Sequence, residues 1–140
     1  MATGCSDSTL PHPTGGGIAV VGEIDQAPMN NDFDVPEYVA DLREYCGTLR
    51  AAGFRVIIMT NPYRRDYYAN SVDDEITFDR YLVDINDSIR LNWPTFADGI
   101  ADMKPLEKYN QLYDQIDRLN FTGAGYTVMS NIVFNAIKKL

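Results

Sequence analysis

Residues 42–62, which read LREYCGTLRAAGFRVIIMTNP, carry the clearest secondary-structure signals in this chain. Apolar residues at helical spacing lead to Gly53, and the apolar run FRVIIMT then ends at Asn61-Pro62. A glycine after the last periodic residue is typical of a helix end, and a short apolar run bounded by turn residues is typical of a buried strand. The stretch therefore predicts a helix that leads directly into a buried strand.

The residues before this stretch extend the same pattern. Asp34 is a candidate N-cap, Pro36 stands at an early helical position, and Glu37 lies in the first turn. The apolar face of this helix comprises Tyr38, Leu42, Tyr45, Cys46 and Leu49. GIAVV, residues 17–21, predicts an earlier buried strand, and the order strand, helix, strand indicates a right-handed crossover in a parallel sheet.

Two further helices and one strand are predicted after residue 62. A helix over 74–91 would bury one apolar face, made of Phe78, Tyr81, Leu82, Ile85 and Ile89. A weaker strand signal lies at 97–102. The apolar residues of 104–115 follow neither the helical repeat of 3.6 residues nor the strand repeat of two. The last helix, starting near Gly123 or Ala124, would bury Tyr126, Met129, Val133, Ala136, Ile137 and Leu140.

Together these elements predict one α/β domain over residues 17–140. Its fold would be a three-layer α/β/α sandwich with a short parallel sheet in the middle layer. The strands would lie near 17–21, 54–60 and 97–102, and the flanking helices at 36–52, 74–91 and 124–139. A chain of 140 residues has room for one such core. Residues 1–16 are polar, contain Gly and Pro, and show neither helical nor strand periodicity of apolar residues. We therefore expect a flexible N-terminal arm.

Composition narrows the classes of partner. The formal charge of −8 opposes binding to nucleic acid, and no apolar run approaches the ~20 residues of a membrane span. No signal peptide is visible, so we expect a soluble protein, with the cytoplasm as the default location. One histidine and no CxxC spacing predict neither a metal site nor a cofactor. Cys5 and Cys46 are expected to be free thiols, with a disulfide between them as the alternative.

Three stretches resemble one enzyme family. They are AVVGEID at 19–25, the helix and strand at 42–62, and FADGIADMKP at 96–105 followed by DRLNFTGAGYTVMSNIV at 117–133. From about Gly17 onward the chain resembles the C-terminal part of SGNH or GDSL-type hydrolases. The resemblance implies a flavodoxin-like α/β sandwich that cleaves acyl or carbohydrate esters.

The resemblance also implies roles for individual positions. In the family a serine attacks the acyl carbonyl, a histidine takes the serine's proton, and an aspartate three residues before the histidine orients it. Asp117 matches the aspartate, and Asn120 stands at the position of the family histidine. Gly22 and Asp25 match the ends of the family's G-x-N-D turn, and Ile24 stands where its oxyanion asparagine would be.

These departures predict impaired or absent hydrolysis. An asparagine amide has no useful basicity, and isoleucine cannot donate a hydrogen bond. Ser8, which follows Asp7, echoes the family's G-D-S nucleophile turn, and His12 lies nearby in sequence. Two alternatives stay open: an active serine esterase acting on small acyl or acetyl esters, and a non-catalytic binding or structural module.

Two expectations concern ligands and partners. Residues 63–68, YRRDYY, follow a strand's carboxyl end, where their aromatic and arginine side chains could bind a sugar or a carboxylate, or simply form an exposed loop. The family's first strand and helix have no counterpart here, which would leave an apolar sheet edge uncovered. The N-terminal arm, a second copy of the chain or another polypeptide could cover that edge. We expect a homo-oligomer or a partner chain there, and a small ester or carbohydrate as ligand.

Overall fold

A computed structural model describes residues 17–22, 34–63, 72–115 and 120–140. The order of its helices and strands is β1 (Ile18–Val21), α1 (Val35–Ala51), β2 (Arg55–Met59), α2 (Val72–Asn92), β3 (Gly99–Ala101) and α3 (Gly123–Lys138). Two short 3₁₀ turns, Trp93–Thr95 and Lys104–Leu106, flank β3. Each predicted helix and strand is present, and its ends differ by no more than two residues from the expected ones.

The three strands form one parallel sheet in the order β1-β2-β3. Val21 of β1 pairs with Ile58 of β2, and Met59 of β2 pairs with Ala101 of β3. Right-handed crossovers that advance in one direction place both connecting helices on the same face of a sheet. As this rule requires, α1 and α2 share one apolar core.

Alternate residues of β2 point to opposite faces of the sheet, and each face is covered by helix. Val56 and Ile58 face α1 and α2, whereas Ile57 faces α3. The first core also holds Leu42, Cys46, Leu82, Ile85 and Ile89. The second holds Ala101, Met103, Leu106, Phe121 and Ala136. Within the described residues, an α/β arrangement of three helices and a three-stranded parallel sheet is therefore confirmed.

The ends of α1 follow from local chemistry. The Asp34 carboxylate accepts a hydrogen bond from the backbone N–H of Glu37 at 3.0 Å, so Asp34 is the predicted N-cap. Pro36 lies in the first turn, where its missing N–H costs nothing. Gly53 ends the helix with a φ of 96°, a backbone conformation that other residues adopt only with strain.

For two tyrosines the prediction of burial in the core is wrong. Tyr45 of α1 and Tyr126 of α3 are both exposed. Tyr45 is adjacent in sequence to the buried Cys46, and Tyr126 is adjacent to the buried Gly125. Successive side chains on a helix point about 100° apart, so a neighbour of a buried residue can face solvent. Tyr126 instead packs edge-on against Phe121, with 5.6 Å between the ring centroids.

The last helix runs antiparallel to the strands. The Arg55 guanidinium at the start of β2 donates to the Leu140 carbonyl oxygen at 3.4 Å. A methyl group built on Gly99, at the start of β3, would lie 3.3 Å from the Leu140 side chain. The C-terminal end of α3 is therefore at the amino edge of the sheet, and its N-terminal end is at the carboxyl edge. None of the helices that the structure describes is long and apolar enough to cross a membrane.

Candidate functional site

The carboxyl edge of the sheet is the natural place for a site, because ligands of open α/β sheets bind there. Gly22 follows β1, Thr60 follows β2, and Asp102 follows β3. The Thr60 hydroxyl accepts a hydrogen bond from the Met103 N–H at 2.6 Å and donates to the Asp102 carboxylate at 3.3 Å. The segments after β2 and β3 are thus joined directly.

Only two of the predicted site positions lie within the described residues. Gly22 is half-buried at the carboxyl end of β1, and Asn120 is exposed just before α3. The other predicted positions, Ser8, Ile24, Asp25 and Asp117, lie outside the described residues, as do His12 and Cys5. Their convergence with Asn120 stays a prediction.

The backbone around Asn120 is tied to the preceding turn. The carbonyl oxygen of Asn120 accepts a hydrogen bond from the N–H of Gln115 at 2.9 Å, and Asp114 forms an isolated antiparallel bridge with Phe121. Thr122, the N-cap of α3, donates its N–H to the Tyr113 carbonyl oxygen at 2.7 Å. These bonds fix the path of the chain where Asn120 enters the helix.

Gly125 is required by the same contact between the turn and the helix. A β-carbon on Gly125 would overlap the carbonyl oxygen of Tyr113 and approach the β-carbon of Phe121 to 2.8 Å. The backbone of α3 can therefore pack directly on the turn only if residue 125 lacks a side chain. Gly125 lies in the motif at 117–133, but its packing role was not predicted from the sequence.

A cluster of polar and charged side chains lies behind the carboxyl edge, and two of them, Asn86 and Glu107, are buried. We define the polar cluster as Asn86 and Arg90 of α2 with Asp102, Lys104 and Glu107 from the segment after β3. Arg90 donates to both oxygens of Asp102 at 3.1 Å and to Glu107 at 2.7 Å. Glu107 also accepts hydrogen bonds from the Asn86 amide at 2.8 Å and the Lys104 ammonium at 3.2 Å.

The electrostatics of the polar cluster favour its charged form. Burial by itself raises the pKa of Glu107, but hydrogen bonds from Asn86, Arg90 and Lys104 outweigh burial and leave that pKa below its ordinary value. Burial likewise opposes the charge on Arg90, yet its bonds to Asp102 and Glu107 raise the pKa of the guanidinium. Glu107 is thus an ionised hydrogen-bond acceptor at neutral pH, and not a general base that exchanges protons there.

The polar cluster holds the main chain at Asn61. The Asn86 side chain accepts from the Asn61 N–H at 2.7 Å and donates to the Asn61 carbonyl oxygen at 2.9 Å. Asn86 is fully buried, and its amide is oriented by Glu107. The cluster therefore fixes the first turn after β2, and its chemical role is to position that turn.

The polar cluster was not predicted from the sequence. The signal was present, because Asn86 and Arg90 are four residues apart on a helix and Asn86 follows the buried Ile85. A polar residue within an apolar stripe indicates a buried partner. Periodicity could not identify Glu107 as that partner, since it lies beyond β3 in a segment that fitted neither period.

Two other predicted features can be placed. Cys46 is a free, fully buried thiol whose pKa is raised by burial, so it packs as a small apolar side chain. Tyr63 is buried, with its ring centroid 5.8 Å from that of Tyr109, and its N–H donates to the Leu106 carbonyl oxygen. The rest of the proposed sugar-binding loop, 64–68, lies outside the described residues.

Comparisons with known proteins return no matching family model, no matching curated protein and no matching solved structure.

Proposed function

We propose that this chain is an SGNH or GDSL-type hydrolase-like domain, related to enzymes that cleave acyl or carbohydrate esters, in which ester hydrolysis is impaired. The proposal is carried by Asn120. It lies at the carboxyl edge of a parallel sheet, two residues before the N-cap of a helix packed through Gly125, in the motif where the family carries its histidine. An asparagine there cannot take a proton from a serine.

The architecture supports this assignment. Strands in the order β1-β2-β3 with helices on both faces are compatible with half of a doubly wound sheet. The antiparallel course of α3 brings Asn120 to the same edge as Gly22. These are the elements that a triad and an oxyanion site at the carboxyl edge would need.

The expected loss of rate is large. A general base contributes about 10²–10⁴ in rate, and one oxyanion donor contributes about 10²–10³. Asn120 and Ile24 would remove one group of each kind. The scaffold would then keep the ability to bind a small ester or carbohydrate while turning it over slowly.

Turnover of p-nitrophenyl acetate tests the proposal. We expect background rates for the unaltered chain and saturable turnover for Asn120→His combined with Ile24→Asn. Asn135→His is the matched control, because it adds an imidazole at another exposed asparagine outside the motif. Saturable, serine-dependent hydrolysis by the unaltered chain would overturn the proposed impairment. A double variant no faster than the control would overturn the hydrolase-like assignment itself.

We further propose that a second chain covers the open side of β1. Ile18 and Val20 are exposed, although Val20 pairs with Ile57, whose side chain lies in the core beneath α3. An uncharged, apolar strand at the end of the described sheet is a template for association. We expect light scattering to report a dimer or larger species that Val20→Lys dissociates. A monomer at high concentration would contradict this expectation.

A further inference from the structure

The amino edge of the sheet concentrates positive charge in a chain that is acidic as a whole. The cations there are Arg50 in the last turn of α1, Arg55 at the start of β2, and Lys138 and Lys139 at the end of α3. Asp98 is the carboxylate that the described residues place among them, and it pairs with Arg50 at 3.2 Å. We define the basic patch as Arg55, Lys138 and Lys139. Its members form no ion pair within the part of the chain that the structure describes.

An exposed aromatic ring adjoins the basic patch. Phe134 is 58% exposed, and the Lys138 ammonium lies 5.2 Å from the centre of its ring. Lysines at a helix C-terminus complement the helix dipole, which by itself accounts for Lys138 and Lys139. The dipole gives no reason for a phenylalanine left in water beside them. Lysine or arginine together with exposed aromatic side chains is typical of surfaces that lie on lipid headgroups.

The cations of the amino edge come from all three layers of the fold. Arg50 belongs to the helix layer on one face of the sheet, Arg55 to the sheet itself, and Lys138 and Lys139 to the helix on the other face. They are therefore spread over one whole end of the described structure and do not follow a line. A flat anionic surface can contact all of them at once, whereas an extended peptide or a single nucleic-acid strand would follow one row.

The formal charge of −8 does not oppose such a contact at short range. Asp102, Glu107 and Asp114 lie at the carboxyl edge, at the other end of α3. That helix has 16 residues and is about 24 Å long, about three times the Debye length of about 8 Å at physiological salt. A surface that touches the amino edge therefore meets the cations, while these carboxylates are screened from it.

We infer that the amino edge binds the surface of a bilayer that contains anionic phospholipids. The three cations of the basic patch contact the headgroup phosphates and carboxylates, and Phe134 enters the boundary between headgroups and acyl chains. Each cation near such a surface contributes about fivefold in affinity, so the binding is reversible. The carboxyl edge, with the candidate site, faces away from the bilayer.

Co-sedimentation tests the inference, with vesicles of phosphatidylcholine alone and of equimolar phosphatidylcholine and phosphatidylserine. We expect binding to the mixed vesicles only, and its loss between about 0.1 M and about 1 M salt. Lys138→Gln combined with Lys139→Gln should weaken the binding about thirtyfold, at about fivefold for each cation removed. Lys108→Gln is the matched control, because Lys108 is an exposed lysine near the opposite edge, and it should leave the binding unchanged.

A second variant tests the aromatic part of the surface. Phe134→Ser should weaken binding to the mixed vesicles about tenfold, because it removes the ring that is buried among the lipids. It should leave the salt dependence unchanged, since it removes no charge. The variant alters an exposed side chain, so it carries the test alone should the double lysine variant fail to fold.

Four results would overturn the inference: no binding to the mixed vesicles, equal binding to both kinds of vesicle, equal binding by the double lysine variant and the control, or equal binding by Phe134→Ser and the unaltered chain. Tighter binding to a duplex oligonucleotide than to the mixed vesicles would also overturn it, by assigning the basic patch to nucleic acid. The vesicle assay measures no ester turnover, so its outcome is independent of the test of Asn120.

Discussion

Replacing Glu107 with glutamine tests the polar cluster with almost no change of shape. The Glu107 side chain is 2% exposed, and each of its partners is a donor. Oε2 accepts from the Asn86 amide at 2.8 Å and from Arg90 at 2.7 Å, while Oε1 accepts from Lys104 at 3.2 Å. Glutamine offers one accepting oxygen and one donating NH₂ group, so it cannot satisfy all three.

The size of the effect follows from which partner glutamine gives up. Lys104 is 67% exposed and can turn to water, so the glutamine oxygen would stay on Asn86 and Arg90. Arg90 keeps its bonds to Asp102. We expect Glu107→Gln to lower the free energy of unfolding by about 1–3 kcal/mol. Glu107→Ala should lower it by about 2–4 kcal/mol, because alanine leaves the buried Asn86 amide without its carboxylate acceptor and removes one of the carboxylates paired with Arg90. Lys104→Ala should cost about 0–1 kcal/mol.

Urea denaturation at several pH values is the assay. Burial opposes ionisation of Glu107, but its hydrogen bonds prevail and lower its pKa in the folded state. A lowered folded-state pKa gives stability that is present above the unfolded-state pKa and lost as the pH falls through the folded one. The difference between the unaltered chain and Glu107→Gln should therefore shrink between about pH 5 and pH 3. Equal stability at pH 7, or a difference that persists undiminished at pH 3, would refute the reasoning.

Asp114 should show the opposite dependence on pH. Burial raises its pKa despite a hydrogen bond from the Asn110 N–H at 2.8 Å. The contribution of Asp114 to the stability of the fold is therefore lost as the pH rises through its folded-state pKa. In Asp114→Asn the amide oxygen still accepts that hydrogen bond. This variant should resist urea better than the unaltered chain at pH 7, and no better near pH 3. A lower resistance to urea at pH 7 would contradict this expectation. Gly125→Ala should cost about 1–3 kcal/mol in thermal unfolding because its β-carbon overlaps Tyr113. The control Gly123→Ala, with nothing within 4 Å of its β-carbon, should gain about 0.5–1 kcal/mol, and equal effects of the two changes would exclude the packing role.

The fold was largely predictable because its signals are local. The cap at Asp34, the stop at Gly53 and the β-branched run of β2 each occupy a few consecutive residues. Consecutive strand, helix and strand elements then leave few topologies. The weakest strand signal, at 97–102, corresponds to the shortest strand, Gly99–Ala101, which is held in place by its partner β2.

The site was less predictable because its bonds join distant residues. Asn86 and Glu107 are 21 residues apart, and Thr60 and Asp102 are 42 apart. Which polar residues meet depends on where the turns after β2 and β3 lie, and hydrophobic periodicity carries no information about those turns. The family resemblance singled out Gly22 and Asn120, whose roles stay predictions, and it gave no sign of the network that holds the main chain at Asn61.

The identity of residue 120 can be separated from the folding of the segment that carries it. The turn before α3 is fixed by the bond from the Thr122 N–H to Tyr113, by the Thr122 hydroxyl on the Leu112 carbonyl oxygen at 2.7 Å, and by close packing at Gly125. None of these contacts uses the side chain of Asn120. A histidine placed there would leave these three contacts in place, so activity that it restores at an unchanged thermal midpoint would report on proton transfer and not on a refolded turn.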